Sequence, residues 1–369
     1  MRYRNVELYY EQSLDNTGTK IFDLKTTDPI SAIRLDFKGT NGETVNQNNL
    51  MNDVISNIEL VDGSDQLTSL NLKQAQALHF FDTRKTPLMR IEERASGSIN
   101  EQCLILFGRY LWDKEYYLDL KKFTNPQLKI TTAGLTPNAL AVGGFLDGSF
   151  KVTINLHVIE DGAVESKGFM MRKEVYSFTG AASGDEHIDM PQDYPYVGLL
   201  IRAYEDQKDF HENITDLKIS CDAGKFIPVD KKCHDLIRMN EEDYGPLELR
   251  MQLCRAGGDK VRHPLHGDPI AVLQADQHNN LYQAIYQWSG YFDLEVTDHE
   301  GVEVTTDSWI RALIKGVSLH STLFLPFGIL SDPTTYFDPK LWTDIELILT
   351  QAGDWSPANQ IILQQLRSY

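Results

Sequence analysis

Apolar and polar residues alternate along many short segments of the first half of the chain. The alternation is clear in Asn57–Asp62 (NIELVD), Gln127–Thr132 (QLKITT) and Phe150–Ile159 (FKVTINLHVI), as expected of strands with one buried face. Turn-forming dipeptides such as Asp147-Gly148 separate these segments. The pattern predicts strands at Thr17–Leu24, Ile30–Phe37, Val54–Val61, Leu67–Leu70, Cys103–Tyr110, Tyr116–Leu120, Gln127–Thr132 and Ser149–Ile159.

One brief helix accompanies these strands, and Asn71 is its expected N-cap because its side-chain oxygen can accept a free backbone N–H. A parallel α/β fold would need a helix after nearly every strand, so the pattern favours an antiparallel β sandwich. For about eight short strands within residues 17–159, the most natural sandwich is a jelly roll.

One stretch of the first half recurs near the end of the chain. Tyr117–Gly134 reads YLDLKKFTNPQLKITTAG, and Tyr336–Gly353 reads YFDPKLWTDIELILTQAG, without a gap. Eight of these eighteen positions are identical, whereas ordinary composition gives roughly one by chance. The similarity indicates that a structural unit is duplicated.

Further matches keep the same order along both halves. Matched positions include Asp23 with Asp189, Pro29 with Pro195, Leu60 with Ile219, the expected helix starts Asn71 and Asp230, Phe107 with Phe327, and Asp113 with Asp332. The order of strands and helix is therefore kept, and a single fold is predicted to occur twice. Two copies are too few for a solenoid, so each copy must close its own core.

The offsets between matched positions predict the domain organisation. We expect an N-terminal arm at 1–15, a first jelly roll at 16–162, a linker at 163–171 and a second jelly roll at 172–369 with an insertion at about 243–307. Long structureless loops are rare in compact domains, so the insertion is expected to contain strands. Its best candidates are IAVLQADQ from Ile270 and YFDLEVTD from Tyr291. The predicted fold class is all-β, with two tandem eight-stranded antiparallel jelly rolls and short helices.

Charge and cysteine content narrow the possible functions. The 369 residues carry 53 acidic and 35 basic side chains, a net charge of −18 that disfavours sequence-specific nucleic-acid binding. No apolar run is long enough to span a bilayer, and the start MRYRNVELYYEQ lacks the apolar core of a secretory signal. The four cysteines show no metal or redox spacing, so buried free thiols are expected at Cys103, Cys221, Cys233 and Cys254.

Candidate catalytic and metal-binding motifs are weak. His263, His266 and Asp268 are close in sequence, with His278 beyond, but they lie in the insertion at a spacing that matches no metal motif. HENIT at His211 has threonine where a zinc-protease helix needs its second histidine, and phosphate-binding and nucleophile motifs are absent. Aromatic residues at 282–288 favour packing or an interface over a sugar site. We therefore predict no catalytic residue, cofactor site or metal site.

The tandem organisation resembles that of a known family of viral proteins. With FGRYLWDKEYYLDLKKFTNPQLKI closing the first half and YFDPKLWTDIELIL closing the second, the chain resembles the double jelly-roll major capsid proteins of tailless icosahedral DNA viruses. This lineage contains membrane-containing bacteriophages and, more distantly, adenovirus hexon. The resemblance covers essentially the whole chain and rests on architecture and on the strand Phe123–Ile130.

The resemblance implies a structural protein of the virion rather than an enzyme. Such subunits form homotrimers, and the six jelly rolls give pseudo-hexagonal capsomers that contact neighbouring capsomers, penton proteins and minor capsid proteins. It further implies assembly in the host cytoplasm, an insertion at the outer end or between subunits, and an N-terminal arm on the inner side. There Arg2 and Arg4, with Tyr9 and Tyr10 nearby, would meet membrane lipid or the genome.

Two other function classes also use jelly rolls. A carbohydrate-active or glycan-amide hydrolase can be built from paired jelly rolls, and a lectin-like binding protein shares the fold. Both are usually exported and would be expected to have a signal peptide, and the hydrolase also disulfides; neither feature is evident in the sequence.

Overall fold

The chain folds into two successive sets of strands with the same internal order. In the first half these are β1 (Arg2–Ser13), β2 (Gly18–Asp23), β3 (Ile30–Thr40), β4 (Ile55–Asp62), β5 (Asp65–Leu70), β6 (Met89–Glu92), β7 (Ser98–Leu106), β8 (Pro126–Thr132) and β9 (Lys151–Asp161). In the second half they are β10 (Gly168–Thr179), β11 (Ser183–Asp189), β12 (Tyr196–Tyr204), β13 (Ile214–Cys221), β14 (Phe226–Lys232), β15 (Leu247–Arg255), β16 (Val261–Arg262), β17 (His266–Ala275), β18 (Tyr282–Tyr286), β19 (Tyr291–Val296), β20 (Ser308–Val317), β21 (Thr322–Pro326), β22 (Ile345–Ala352) and β23 (Ala358–Ser368). The helices are α1 (Met51–Val54), α2 (Leu72–Thr83), α3 (Phe210–Asn213) and α4 (Cys233–Tyr244).

This computed structural model describes residues 2–369 except 45, 47–48, 93, 134–143, 162–164, 206–207, 256–260, 263–265, 276–281, 287–290, 297–307 and 354. Within strands at 251–312, and at Asp161, the description covers the backbone alone. The structural statements below refer to these described residues.

Each half forms two four-stranded layers in jelly-roll order. The first half orders its strands β1-β9-β3-β7 and β2-β8-β4-β5, and the second half orders its strands β10-β23-β12-β21 and β11-β22-β13-β14. Each of these sixteen strands thus has a counterpart at the same place in its layer, from β1 and β10 through to β9 and β23. The predicted fold class, two tandem antiparallel jelly rolls, is confirmed.

The register of the strands repeats as well as their order. In the first half Leu60 of β4 lies opposite Leu128 of β8, and in the second Ile219 of β13 lies opposite Leu347 of β22. A bulge follows the first residue of β4 and of β13, at Ile55 in one half and at Ile214 in the other. The predicted match of Leu60 with Ile219 therefore holds at the level of individual strand pairs.

Equivalent aspartates fix equivalent turns in the two halves. The Asp62 carboxylate accepts hydrogen bonds from the backbone N–H groups of Thr124 and Asn125, at 3.1 and 2.5 Å. The Asp222 carboxylate accepts from those of Thr343 and Asp344, at 2.8 and 3.2 Å. These bonds satisfy backbone donors just before β8 and β22, where no strand partner is available.

Two strands predicted for the first half differ from the strands in the structure. β7 runs from Ser98 to Leu106 instead of Cys103–Tyr110 because the chain leaves the sheet after Phe107. Tyr116–Leu120 is no regular strand: only isolated bridges form, and the chain then enters a 3-10 turn. Asp119 causes that turn by accepting from the Lys121 N–H at 3.1 Å.

The two longer helices begin at different kinds of residue. Asn71 is the N-cap of α2, as predicted, and it exchanges hydrogen bonds with Gln74 in a capping box. Asp230 does not cap α4, because β14 continues to Lys232 and places Asp230 within the strand. The helix therefore starts two residues later than the sequence pattern indicates.

Several segments outside the repeat also form strands. Residues 1–15, expected to be an arm, contain β1, which pairs along β9 from Arg2 to Ser13. The expected linker at 163–171 overlaps the start of β10 at Gly168. The insertion contains the two predicted strands as β17 and β19, and β15 joins it to the first jelly roll by parallel pairing with β6.

A buried carboxylate lies beside the first core. Glu101 of β7 is fully buried and accepts from the Met51 N–H at 3.0 Å, Asn52 Nδ2 at 2.9 Å and Gln76 Nε2 at 2.8 Å. Gln76 Oε1 in turn lies 2.7 Å from Nε2 of His320, which belongs to the second half. Burial outweighs these hydrogen bonds and raises the pKa of Glu101 to about 7.

We expect Glu101→Gln to remove part of the pH dependence of stability. Because the folded pKa is about 7 and the ordinary value is 4.5, the folded state holds this proton more tightly. Its contribution is complete below pH 4.5 and is lost as pH rises through 7, by at most about 3 kcal/mol. Urea denaturation between pH 5 and pH 8 should show the variant gaining stability relative to the wild type as pH rises. A difference that does not change with pH would contradict the assignment.

Candidate assembly surfaces

The two jelly rolls are joined by strands that pair in parallel. β5 of the first half pairs with β10 of the second, with Thr68 opposite Arg172 and Ser69 opposite Lys173. This pairing merges one layer of each jelly roll into a single eight-stranded sheet. The contact between β5 and β10 is called the internal junction below.

A buried ion pair lies behind the internal junction. Arg172, 1% exposed, contacts Asp82 of α2 through Nη2 at 2.8 Å, and its Nη1 donates to the Leu106 carbonyl. Gln364 Nε2 donates to the other Asp82 oxygen at 2.9 Å. Both carboxylate oxygens are thus satisfied, which a buried charge requires.

Further polar contacts determine the orientation of the two halves. The Arg367 guanidinium holds the Asp65 carboxylate in a two-pronged contact at 2.9 and 2.5 Å. The Glu174 carboxylate accepts from Gln74 of the first half and from Gln360 of the second. Since such contacts need correct geometry on both sides, they specify one arrangement of the jelly rolls.

A second cluster connects the loop after β7 with the loop after β21. Arg109, almost fully buried, donates to Asp113 through Nε at 2.6 Å and Nη2 at 2.9 Å, and to Glu115 at 2.9 Å. Its Nη1 donates to the Ser331 carbonyl at 3.0 Å. Burial opposes ionisation of Asp113, but the hydrogen bonds from Arg109 and the backbone outweigh it, and the pKa of Asp113 lies below its usual range.

Exposed apolar side chains lie on these two loops. Tyr110 is 48% exposed in the first loop, and Ile329 and Leu330 are 61% and 42% exposed in the second. Arg109 connects the two loops through Ser331, the neighbour of Leu330 in sequence. We call Tyr110, Ile329 and Leu330 the loop patch. Exposed apolar residues of this kind are typical of protein interfaces.

Two further candidate surfaces are strand edges. β1 ends one sheet and β14 ends another, and neither has a partner on its outer side among the described strands. Tyr3 and Tyr10 of β1 are 54% and 62% exposed, and Phe226 and Ile227 of β14 are 43% and 41% exposed. An exposed strand edge offers unpaired backbone groups to another strand.

Arg4 and Tyr9 of β1 contact residues of the first jelly roll. Arg4 pairs with Asp28 at 2.8 Å and lies 3.8 Å from Glu160, so carboxylates of the same chain occupy it. Tyr9 donates its hydroxyl proton to the Asp23 carbonyl at 3.0 Å. These contacts hold β1 against the first jelly roll.

The residues considered for metal binding do not form a described cluster. Among the described residues, no group of three or more His, Cys, Asp or Glu side chains is placed to hold a metal ion. His266 and Asp268 belong to β17, where only the backbone is described, and His263 and His278 lie outside the described residues.

The expected burial of thiols is found at three positions. Cys103, Cys221 and Cys233 are free and buried, and burial raises the pKa of each thiol. Cys254 belongs to β15, where only the backbone is described. Within the described part of the chain, no helix has the length and apolar character needed to cross a bilayer.

No protein-family model and no curated protein sequence matches the chain. Solved structures do match over nearly its full length. The major capsid protein of the virus STIV shares 12% identity at a TM-score of 0.60, covering 99% of this chain and 96% of that one. The major capsid protein of bacteriophage PM2 shares 11% identity at 0.55, covering 100% and 98%. VP54 of PBCV-1 shares 9% identity at 0.58, covering 99% and 93%.

These likenesses extend across both halves of the chain, which agrees with the double jelly-roll fold. Sequence reasoning found the repeat but missed the pairing of β5 with β10, the Arg109 cluster and the two strand edges. A sequence signal for the edges was present in residues 2–13 and in Phe226–Lys232, the segments that form β1 and β14. Neither strand shows the regular alternation of a strand with one buried face.

We expect Arg172→Ala to destabilise the protein by about 3–5 kcal/mol, since Asp82 would remain buried without its partner. Arg367→Ala is the control, because its more exposed pair with Asp65 is expected to contribute about 1 kcal/mol or less. The double variant Arg172→Met, Asp82→Leu should recover most of the loss. Urea denaturation of the three variants measures these changes in the free energy of unfolding. Equal losses for Arg172→Ala and Arg367→Ala would contradict the role given to the ion pair.

Proposed function

We propose that this protein is a major capsid protein, a structural subunit of an icosahedral virus shell. The observation that carries the proposal is the pair of jelly rolls with matching strand order and register over the whole chain. Matched solved structures that cover both halves include major capsid proteins, which supports the same function. The chain is expected in the virion after assembly in the host cytoplasm.

The proposed assembly unit is a homotrimer. Three chains contribute six similar jelly rolls, and six similar edges allow a threefold unit to fit a hexagonal lattice. The loop patch and the edges of β1 and β14 supply apolar and backbone surface for contacts between copies. Neighbouring capsomers, penton proteins and minor capsid proteins are the expected further partners.

The proposed role is structural and not catalytic. No contact among the described residues favours the glycan-hydrolase or lectin alternative, so neither is proposed. Contact of the N-terminal segment with lipid or genome stays a prediction; Arg4 there is half exposed and has Asp28 and Glu160 as partners.

We propose a division between the jelly rolls that falls between β9 and β10. β9 ends at Asp161 and β10 begins at Gly168, and the strand order supports including β1 in the first jelly roll. Residues 2–161 and 168–369 are therefore the proposed domains. The insertion is proposed to lie at the outer end or between subunits, anchored by the pairing of β15 with β6.

We expect the purified protein to sediment with the mass of three 42.0-kDa chains at micromolar concentration. Negative-stain electron microscopy should show particles with a hexagonal outline, because six similar jelly rolls surround the threefold axis. Salt should be varied, since a chain with a net charge of −18 repels its copies at low ionic strength. A monomer that persists at every salt concentration would argue strongly against the capsid role.

Limited proteolysis of assembled particles tests the placement of the insertion. We expect the first cuts within the insertion at about 243–307, and later cuts within β1, since β1 is paired with β9. Mass spectrometry of the fragments identifies the sites, with the unassembled protein as the comparison. Cleavage in β1 before any cut in the insertion would reverse the proposed orientation.

A further inference from the structure

Each strand of the internal junction has a counterpart in the other half, and these two counterparts do not pair with each other within the chain. By strand order, β14 of the second jelly roll corresponds to β5 of the first, and β1 of the first corresponds to β10 of the second. β5 and β10 pair with each other inside the chain. Their counterparts β14 and β1 are both sheet edges among the described strands. The contact made once within the chain can therefore be made again only by a second copy.

Residues around β5 are more buried than the equivalent residues around β14. In β5, Leu67, Thr68 and Leu70 are at most 1% exposed, whereas β14 has no fully buried residue. Helix α2, next to the internal junction, buries eight of its twelve residues. Helix α4, its counterpart next to β14, buries only Cys233 and Leu236. The surface around β14 is thus uncovered where the equivalent surface around β5 is covered.

Matched registers give the alignment of the two edges. Arg172 of β10 and Asn5 of β1 occupy equivalent positions, since each is two residues before a bulge, at Glu174 and at Glu7. Thr68 of β5 lies opposite Leu60, and Val229 of β14 lies opposite Ile219, the counterpart of Leu60. The observed pair of Arg172 with Thr68 therefore translates into a pair of Asn5 with Val229.

We propose that β14 of one subunit pairs in parallel with β1 of the next subunit, with Asn5 opposite Val229 and Val6 opposite Asp230. This inference rests on the proposed homotrimer and specifies its contact. Each chain offers one β14 and one β1, so three copies satisfy all of these edges in a closed ring. The partner is a second copy of this chain.

Side-chain chemistry at the proposed contact suits surfaces that are exposed before assembly. Asn5 replaces Arg172, and counting from the starts of α2 and α4 places Asp243 where α2 has Asp82. Asn5 and Asp243 are both exposed in the single chain. The buried ion pair of the internal junction would become an amide-to-carboxylate hydrogen bond between subunits. This bond requires only one charge to lose water on assembly.

Cysteine cross-linking tests the register. Opposed residues in paired strands are close enough for a disulfide, so Asn5→Cys with Val229→Cys should give covalent dimers and trimers under mild oxidation. The mismatched pair Asn5→Cys with Lys231→Cys and the two single variants are the controls. Non-reducing gel electrophoresis after sedimentation reads out both assembly and linkage. The single variants also measure the background from the four native cysteines, of which Cys103, Cys221 and Cys233 are buried.

The outcomes separate this inference from the proposed function. Trimers of the Asn5→Cys, Val229→Cys variant that cross-link at least about tenfold faster than trimers of the mismatched pair support the contact, because disulfide formation requires close approach. Trimers that form but do not cross-link, or that cross-link equally in both pairs, overturn the contact and leave the capsid role standing. A protein that stays monomeric overturns the capsid role itself.

A charge substitution at the same position gives an independent measurement. Asn5→Arg should strengthen trimers by restoring an ion pair with Asp243, and Asn5→Asp should weaken them by placing two carboxylates together. We expect trimer dissociation in dilution experiments to shift in opposite directions, several-fold for each variant at low salt. Shifts in the same direction, or none, would contradict the proposed position of Asn5.

Discussion

Parallel pairing of β5 with β10 is the contact on which the arrangement of the whole chain depends. It joins the two jelly rolls in one sheet and places the buried Arg172 against Asp82, whose side chain is 10% exposed. A buried ion pair adds little net stability, but its geometry must be correct to be tolerated. We infer that the pair contributes mainly by favouring this orientation of the two halves over others.

Duplication explains why one chain has both a covered and an uncovered version of the same surface. The first copy of the helix, α2, reads LKQAQALHFFDT and buries eight of its twelve residues. The second copy, α4, reads CHDLIRMNEEDY and keeps polar residues on its outer side. The two copies thus differ in burial: the helix inside the chain packs into the core, and the helix at the edge leaves most of its residues exposed or half-buried.

Sequence patterns predicted the repeated core well because alternation and turn residues are local signals. The match of Leu60 with Ile219 was found from sequence and holds in the strand register. The shared roles of Asp62 and Asp222 were missed because β13 carries one more residue before its turn, after a bulge at Ile219. β1 was taken for an arm because an edge strand with exposed residues lacks a buried face. Contacts between distant segments, such as β5 with β10, leave no local signal at all.

Arg172 is charged and Asn5 is not, which agrees with the different stages at which the two contacts form. The internal junction forms once, during folding, and the free energy of folding can offset the burial of two charges. A contact between subunits forms from surfaces already in water, so each charge buried there adds a desolvation cost that a partner charge must offset. An uncharged side chain at Asn5 keeps the repeated geometry while reducing that cost. Equivalent strand edges can therefore be used twice, permanently within the chain and reversibly between chains.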